Sequence, residues 1–251
     1  MQKRPAGAAR SGVATAGAFA AGLGVLLTGG AAKAQSLTVL PVNIEMPSGQ
    51  LASTLTVLNQ GTAETSVQVR ALAWSQVNGV EQLKPSDEVQ ISPPIVTIAA
   101  GGTQVVRLVL RHAPQGHEDT FRILLDQVPP PASPGTVRVA LRLSIPVFAE
   151  PETRALPHMQ FHVENDAGQA YLVATNDGTR HDTFRDLTLT TSTGTALKTV
   201  ASASPYVLAG ATDRWRIGTE GHPVTTGETF HLAGHADIGT LDQSVAVVAH
   251  P

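Results

Sequence analysis

Residues 136–148 read Thr-Val-Arg-Val-Ala-Leu-Arg-Leu-Ser-Ile-Pro-Val-Phe, and their alternation decides the fold class. Val137, Val139, Leu141, Leu143 and Ile145 fall on one face, with Arg138, Ala140, Arg142 and Ser144 on the other. A strict period of two means an extended strand whose apolar face must be covered. The cover is either this chain's own core or a partner to which the face is offered as an added strand.

Outward from this stretch, short alternating segments are separated by turn residues roughly every 8–12 positions, the spacing of a β-sandwich. Upstream, Leu40, Val42, Ile44 and Met46 alternate up to Pro47-Ser48-Gly49, and residues 51–58 close at Asn59-Gln60-Gly61. Val67, Val69, Ala71 and Ala73 share a face before Asn78-Gly79, a strong hairpin signal. Residues 95–98 and 104–111 flank Gly101-Gly102 and are expected to form a second hairpin. Residues 120–128 and 136–148 flank a proline-rich loop, which makes seven strands, one immunoglobulin-like domain. Beyond the break at Glu150-Pro151-Glu152-Thr153, seven further segments follow: 159–164, 170–176, 186–193, 196–200, 214–218, 229–236 and 244–249. No amphipathic helix interrupts them. The reading is all-β, with two immunoglobulin-like β-sandwich domains over residues 35–150 and 154–251.

The first 34 residues read as an export signal peptide. Lys3, Arg4 and Arg10 precede a small-residue apolar run, and Ala32-Lys33-Ala34 matches an A-x-A cleavage pattern. Cleavage near Ala34 is expected to release a product with no further run long enough to span a bilayer, and so no stable membrane insertion. It leaves 13 basic side chains against 20 acidic ones, a net charge of about −7. Without a basic footprint, nucleic acid is not an expected partner.

Enzyme chemistry finds little support. Zero cysteines exclude a disulfide scaffold, a thiolate zinc site and a thiol nucleophile. No G-x-S-x-G elbow, Walker loop or H-E-x-x-H motif occurs. His231 and His235 could share a metal on a helix, but on a strand their rings stand about 13 Å apart, too far for one ion. The expectation is a protein without catalytic residues, metal or cofactor. An exported β-sandwich adhesin or carbohydrate-binding module is the alternative.

Several stretches together resemble the PapD-like periplasmic chaperones of the chaperone–usher pilus pathway. They are Ser92-Pro93-Pro94-Ile95 with residues 98–108, then Phe121 to Pro130 with its terminal proline pair, then Ser144-Ile145-Pro146-Val147-Phe148. In the second half, Asn176-Asp177-Gly178 and Tyr206 to Gly210 match turns of that family. The resemblance implies a boomerang of two domains in the periplasm. It also implies pilin subunits and an outer-membrane usher as partners, and donor-strand complementation through the strand carrying Val137, Val139, Leu141, Leu143 and Ile145. Family members hold the subunit's terminal carboxylate with a basic pair. Here Asn43 and Pro146 stand at those positions, and the Ile-Pro-Val-Phe ending is similar to the archaic branch, which resembles chaperones of spore-coat-U-like pilins. The candidate replacement is Arg122, expected across the hairpin from Leu143 and close to Pro146, with Arg107 as the second candidate.

Overall fold

The computed structural model describes residues 37–77, 79–129, 135, 137, 139–200, 204–219 and 221–249, so the segment expected to be a signal peptide lies outside the described residues. Ten strands form the first half: β1 (Leu37–Leu40), β2 (Ile44–Met46), β3 (Ala52–Asn59), β4 (Thr65–Val77), β5 (Val80–Pro85), β6 (Val89–Ser92), β7 (Ile95–Ile98), β8 (Thr103–Leu110), β9 (Asp119–Val128) and β10 (Arg142–Ala149). One sheet has the order β1-β3-β8-β6 and the other β2-β10-β9-β4-β5, with β7 also on β4. Alternate residues of both sheets meet in one core: Leu55, Val57, Val106 and Leu108 from the first, Val67, Val69, Ile123, Leu125, Ile145 and Val147 from the second.

Two departures from the sequence reading matter for function. The alternating stretch at residues 40–46 is not one strand. β1 pairs antiparallel with β3, the chain crosses between sheets at residues 41–43, and β2 then pairs parallel with β10. Gly101-Gly102 does not close a hairpin, because β7 pairs with β4 while β8 pairs with β3 and β6. The turn carries the chain from one sheet to the other, and Asn59 satisfies it. The Asn59 side chain donates to the carbonyls of Ile98 (3.0 Å) and Ala99 (3.1 Å), and its backbone carbonyl accepts from Gly101 N (2.9 Å).

The second half contains β11 (Met159–Asp166), β12 (Gln169–Asn176), β13 (Asp182–Thr190), β14 (Ala196–Thr199), β15 (Tyr206–Val207), β16 (Thr212–Gly218), β17 (Thr229–Ala236) and β18 (Gly239–Ala249). They follow the order β14-β16-β12-β11-β18-β17-β13-β15, and β14 also pairs with β13, which closes the sheet into a ring. A second core, with Leu172, Leu189, Trp215, Ile217, Phe230 and Leu232, fills it. Asn176 repeats the role of Asn59. Its amide donates to the carbonyls of Arg180 (2.7 Å) and Val207 (3.1 Å), and its oxygen accepts from Gly178 N (3.0 Å). Gly178 has no room for a side chain, since a Cβ there would lie 2.4 Å from His158 N.

Trp74, Phe148, Leu208 and Ala211, with Tyr206 against them, form a third apolar cluster joining the two domains. At the tip of the β4–β5 hairpin, Gly79 N donates to the Thr212 carbonyl (3.0 Å). Asp213 lies beneath that tip, 4% exposed, and burial pushes its carboxyl up to about 6.

Both polar groups bear on stability in measurable ways. Asn176→Ala leaves buried carbonyls without donors and should cost about 2–5 kcal/mol in equilibrium denaturation. Asp213 has a raised folded pKa, so between about pH 4 and 6 the folded state holds a proton that the unfolded chain has lost. Stability therefore falls as pH rises through that window, by up to about 3 kcal/mol. Asp213→Asn, whose Oδ1 can still accept from Arg214 N, should flatten that slope and raise stability at pH 7.

Candidate functional site

The edge of β10 is the most unusual surface of the fold. β9 pairs with it along its whole length, from Arg142↔Asp126 to Ala149↔Asp119. On its other side β2 covers only Val147 to Ala149. Among the described residues no strand pairs with the outer side of Arg142 to Pro146.

The apolar face quoted at the outset is divided by this arrangement. Ile145 (3% exposed) belongs to the first core, and Leu143 packs against it. Val137 (94%), Val139 (87%) and Leu141 (37%) are exposed and precede the strand, which starts at Arg142 rather than at residue 136. The five positions are therefore not equivalent. Two are held by the chain's own core, and three extend the same face into solvent.

The two anchor candidates are placed differently. Arg122 does lie on the strand next to Pro146, but the register pairs those two residues directly and puts Leu143 across from Leu125, three residues from the expected alignment. The pairing begins only at Arg142↔Asp126. Arg122 is 9% exposed, donates to Glu81 (3.0 Å) and stacks over Trp74 (3.7 Å to the ring centroid). Its charge is matched and its planar face occupied. Arg107 is exposed on β8, in the other sheet, between Thr54 and Ser92. Nearer the open edge, Arg142 and Arg70 both bind Asp126, and the hydrogen bond from Arg142 leads in holding that carboxyl below its ordinary range.

A charged network at the joint between the domains went unseen in the sequence. Glu118, fully buried, accepts from His181 Nδ1 (2.7 Å) and His181 N (3.1 Å), and the His181 ring stacks on Phe148 with centroids 3.6 Å apart. The Arg180 guanidinium sits among Glu45 (3.7 Å), Glu118 (3.8 Å) and Glu150 (3.5 Å). Its members are scattered through the chain, and the stack on Phe148 and the pairing of Glu45 with Phe148 tie them to β10.

The remaining polar chemistry is dispersed. His231 and His235 lie on β17 and face different carboxylates, Asp242 and Asp186. Among the described residues no group of three or more His, Asp or Glu side chains is placed to hold a metal ion. Trp74 and Trp215 are both buried, so neither tryptophan offers a sugar a stacking platform.

With the fold and this edge described, comparison with known proteins identifies a family. Residues 36–155 match the model of the pili and flagellar-assembly chaperone family, PapD N-terminal domain. Residues 36–155 belong to that family of PapD-like pilus chaperones. No curated protein sequence matches it. Among solved structures, it is similar to a chain of the CsuC–CsuE chaperone–tip subunit pre-assembly complex from the archaic Csu pili of Acinetobacter baumannii, at 21% identity and a TM-score of 0.62, over 86% of this chain and 100% of that one. The YadV chaperone (16% identity, TM-score 0.60, 84% and 98% covered) and a chain of the Salmonella enterica SafA pilin–SafB chaperone complex (15%, 0.57, 87% and 98%) share the fold. The likeness in fold to these chaperones runs through the second half of the chain as well. The family consists of periplasmic folding and assembly chaperones rather than enzymes. Among the described residues no helix is long and apolar enough to cross a membrane.

The divided face predicts a divided response to charge. Leu141→Asp should change the unfolding free energy by less than about 1 kcal/mol, whereas Ile145→Asp should cost about 4 kcal/mol or more and unfold the chain near 37 °C. Arg122→Ala should cost about 1–3 kcal/mol through lost stacking and pairing, measurable in the same denaturation series.

Proposed function

We propose that this chaperone binds pilin subunits of the spore-coat-U-like kind by lending them residues 137–145 as a missing strand, and that it passes them to an outer-membrane usher. The observation that carries the proposal is the continuation of the chain's own core face past the end of β10 into three exposed apolar residues beside an unpaired edge. An incomplete sandwich has the complementary defect: an unpaired edge and an uncovered groove, which together invite aggregation. Strand addition satisfies both, with backbone hydrogen bonds along the edge and alternate side chains in the groove. The subunit's own folding supplies the free energy, so no nucleotide or other cofactor enters. In two of the similar structures a chaperone is seen with such a client, a tip subunit in one and a pilin in the other.

Within this reading residues 1–34 are a signal peptide cleaved near Ala34. Residues 35–150 form the domain that lends the strand, and residues 154–251 form the second domain. The carboxylate of a client could recruit Arg122 only by displacing Glu81. The test is co-expression with an N-terminally tagged archaic-type pilin subunit, followed by capture from the periplasm. Wild type should be recovered in complex. Leu141→Asp and Val139→Asp, folded as judged by denaturation, should reduce recovery about tenfold or more. Undiminished capture by both variants would remove residues 137–141 from the docking strand.

A further inference from the structure

Asp126, at the end of β10 remote from the second domain, is held by two arginines. Its cross-strand partners are Gln68 on β4 and Arg142 on β10. Val67, Val69, Leu125 and Leu143 turn inward on this sheet, so Gln68, Arg70, Asp126 and Arg142 turn to its outer face. There Arg70 Nη2 donates to one carboxylate oxygen of Asp126 (2.5 Å), and Arg142 Nε donates to the other. Among the described residues neither arginine pairs with a second carboxylate, so two cations meet one anion. On a chain of net charge −3 this is a local excess of one positive charge. With Leu141, the three side chains wall an open groove of about 500 Å³.

Arg142 is the member beside the unpaired edge. Gln127 N donates to the Leu141 carbonyl (2.9 Å). Successive residues of a β-ladder address alternate neighbours, so the N–H and C=O of Arg142 point away from β9. A strand added on that side bonds to Arg142 directly and sets an outward-facing residue of its own about 5 Å from it, Cβ to Cβ. The Arg142 side chain is 63% exposed, and of the five N–H donors of a guanidinium it uses the one at Nε. Its terminal nitrogens remain as donors for a second carboxylate. Drawing the whole guanidinium toward an added strand would leave no orphaned anion, because Arg70 still holds Asp126. Arg122 lacks this freedom, since among the described residues Glu81 pairs with no other cation.

We propose that Arg70, Asp126 and Arg142 form a charge selector for acidic clients. The subunit strand laid beside Arg142 carries an Asp or Glu on its outward face, Arg142 binds that carboxylate, and Arg70 keeps Asp126 neutralised. A Lys or Arg at the same client position is repelled. This rests on the reading of residues 137–145 as the docking strand and names the chemistry of the client that the strand prefers.

Competition in one periplasm tests it. Wild-type and variant chaperones bearing different tags are co-expressed with the N-terminally tagged archaic-type pilin subunit, captured through the subunit, and compared with their periplasmic levels. Arg142→Gln should be recovered about threefold less than wild type, and Arg142→Glu about tenfold less, because reversal adds repulsion. Asp126→Asn, which frees both guanidiniums, should be recovered about twofold more. If the three side chains only tie β10 to β9, Asp126→Asn would instead lower recovery together with the arginine variants. Changing the subunit's Asp and Glu residues to Lys one at a time should yield one variant that Arg142→Glu captures better than wild type does.

Equal recovery of Arg142→Glu and wild type, reduced recovery of Asp126→Asn, or the lack of any Lys variant preferring Arg142→Glu would overturn the selector and leave the docking strand standing. If wild type itself recovers no subunit, the proposed function falls, and the selector with it.

Discussion

The shortness of β2 governs this structure. Three residues, Ile44 to Met46, lie beside the hinge half of β10, and the chain enters that lane only after crossing from the other sheet at residues 41–43. A β2 extended upstream in the same register, to the position opposite Arg142, would seal the edge of β10 and complete an ordinary sandwich. Stopping at Ile44 leaves the first domain with one of its central apolar strands half unpaired. Backbone groups there have no strand partner among the described residues, and a partner strand that supplies one exchanges hydrogen bonds with solvent at small net cost. The same half-strand is held firmly in place, because β9 pairs with it throughout and Ile145 and Val147 anchor it in the core.

That firmness extends to the joint with the second domain. Phe148 ends β10 inside the apolar cluster with Trp74, Leu208 and Ala211, and His181 stacks on its other side while bonded to Glu118. Gln76 spans the two domains as well, donating to the Tyr206 carbonyl (2.8 Å) and accepting from Leu208 N (2.9 Å). The donor edge is therefore mounted on a braced frame, and the exposed residues 137–141 extend from it. Preorganised backbone on one side and adaptable side chains on the other suit a surface that must accept a strand without being reshaped.

Much of this was legible in the sequence, for reasons that residues make plain. Period-two alternation and turn residues located most strands of both domains, and β17 falls on residues 229–236 as expected. What alternation cannot convey is sheet membership. It could not separate β1 from β2, or show that Gly101-Gly102 joins different sheets, because each sheet's inward face has the same pattern. For the same reason the stretch at residues 136–148 looked uniform although its halves have different fates. Whether Leu141 or Ile145 is covered depends on where β3, β8 and β9 end. Arg122 was placed on the right strand, but its partner Glu81 lies on a strand that a polar sequence did not announce. The Glu118–His181 contact joins residues 63 positions apart and leaves no local signal.

The ring in the second domain has a consequence for valence. Among the described residues every strand of that ring has a neighbour on each side, and the one strand outside it, β15, is two residues long, so the domain offers little edge at which another sheet could nucleate. In the first domain the outer strand β5 carries Glu81, Lys84 and Pro85, residues that discourage pairing. A molecule built this way is monofunctional in the polymer chemist's sense. It can occupy one reactive end of a self-assembling subunit, while its other outer strands, the four-residue β1 and β6 and the polar β5, are too short or too charged to carry the chain onward. It acts as a chain stopper, keeping its client at a degree of polymerisation of one until another strand takes its place.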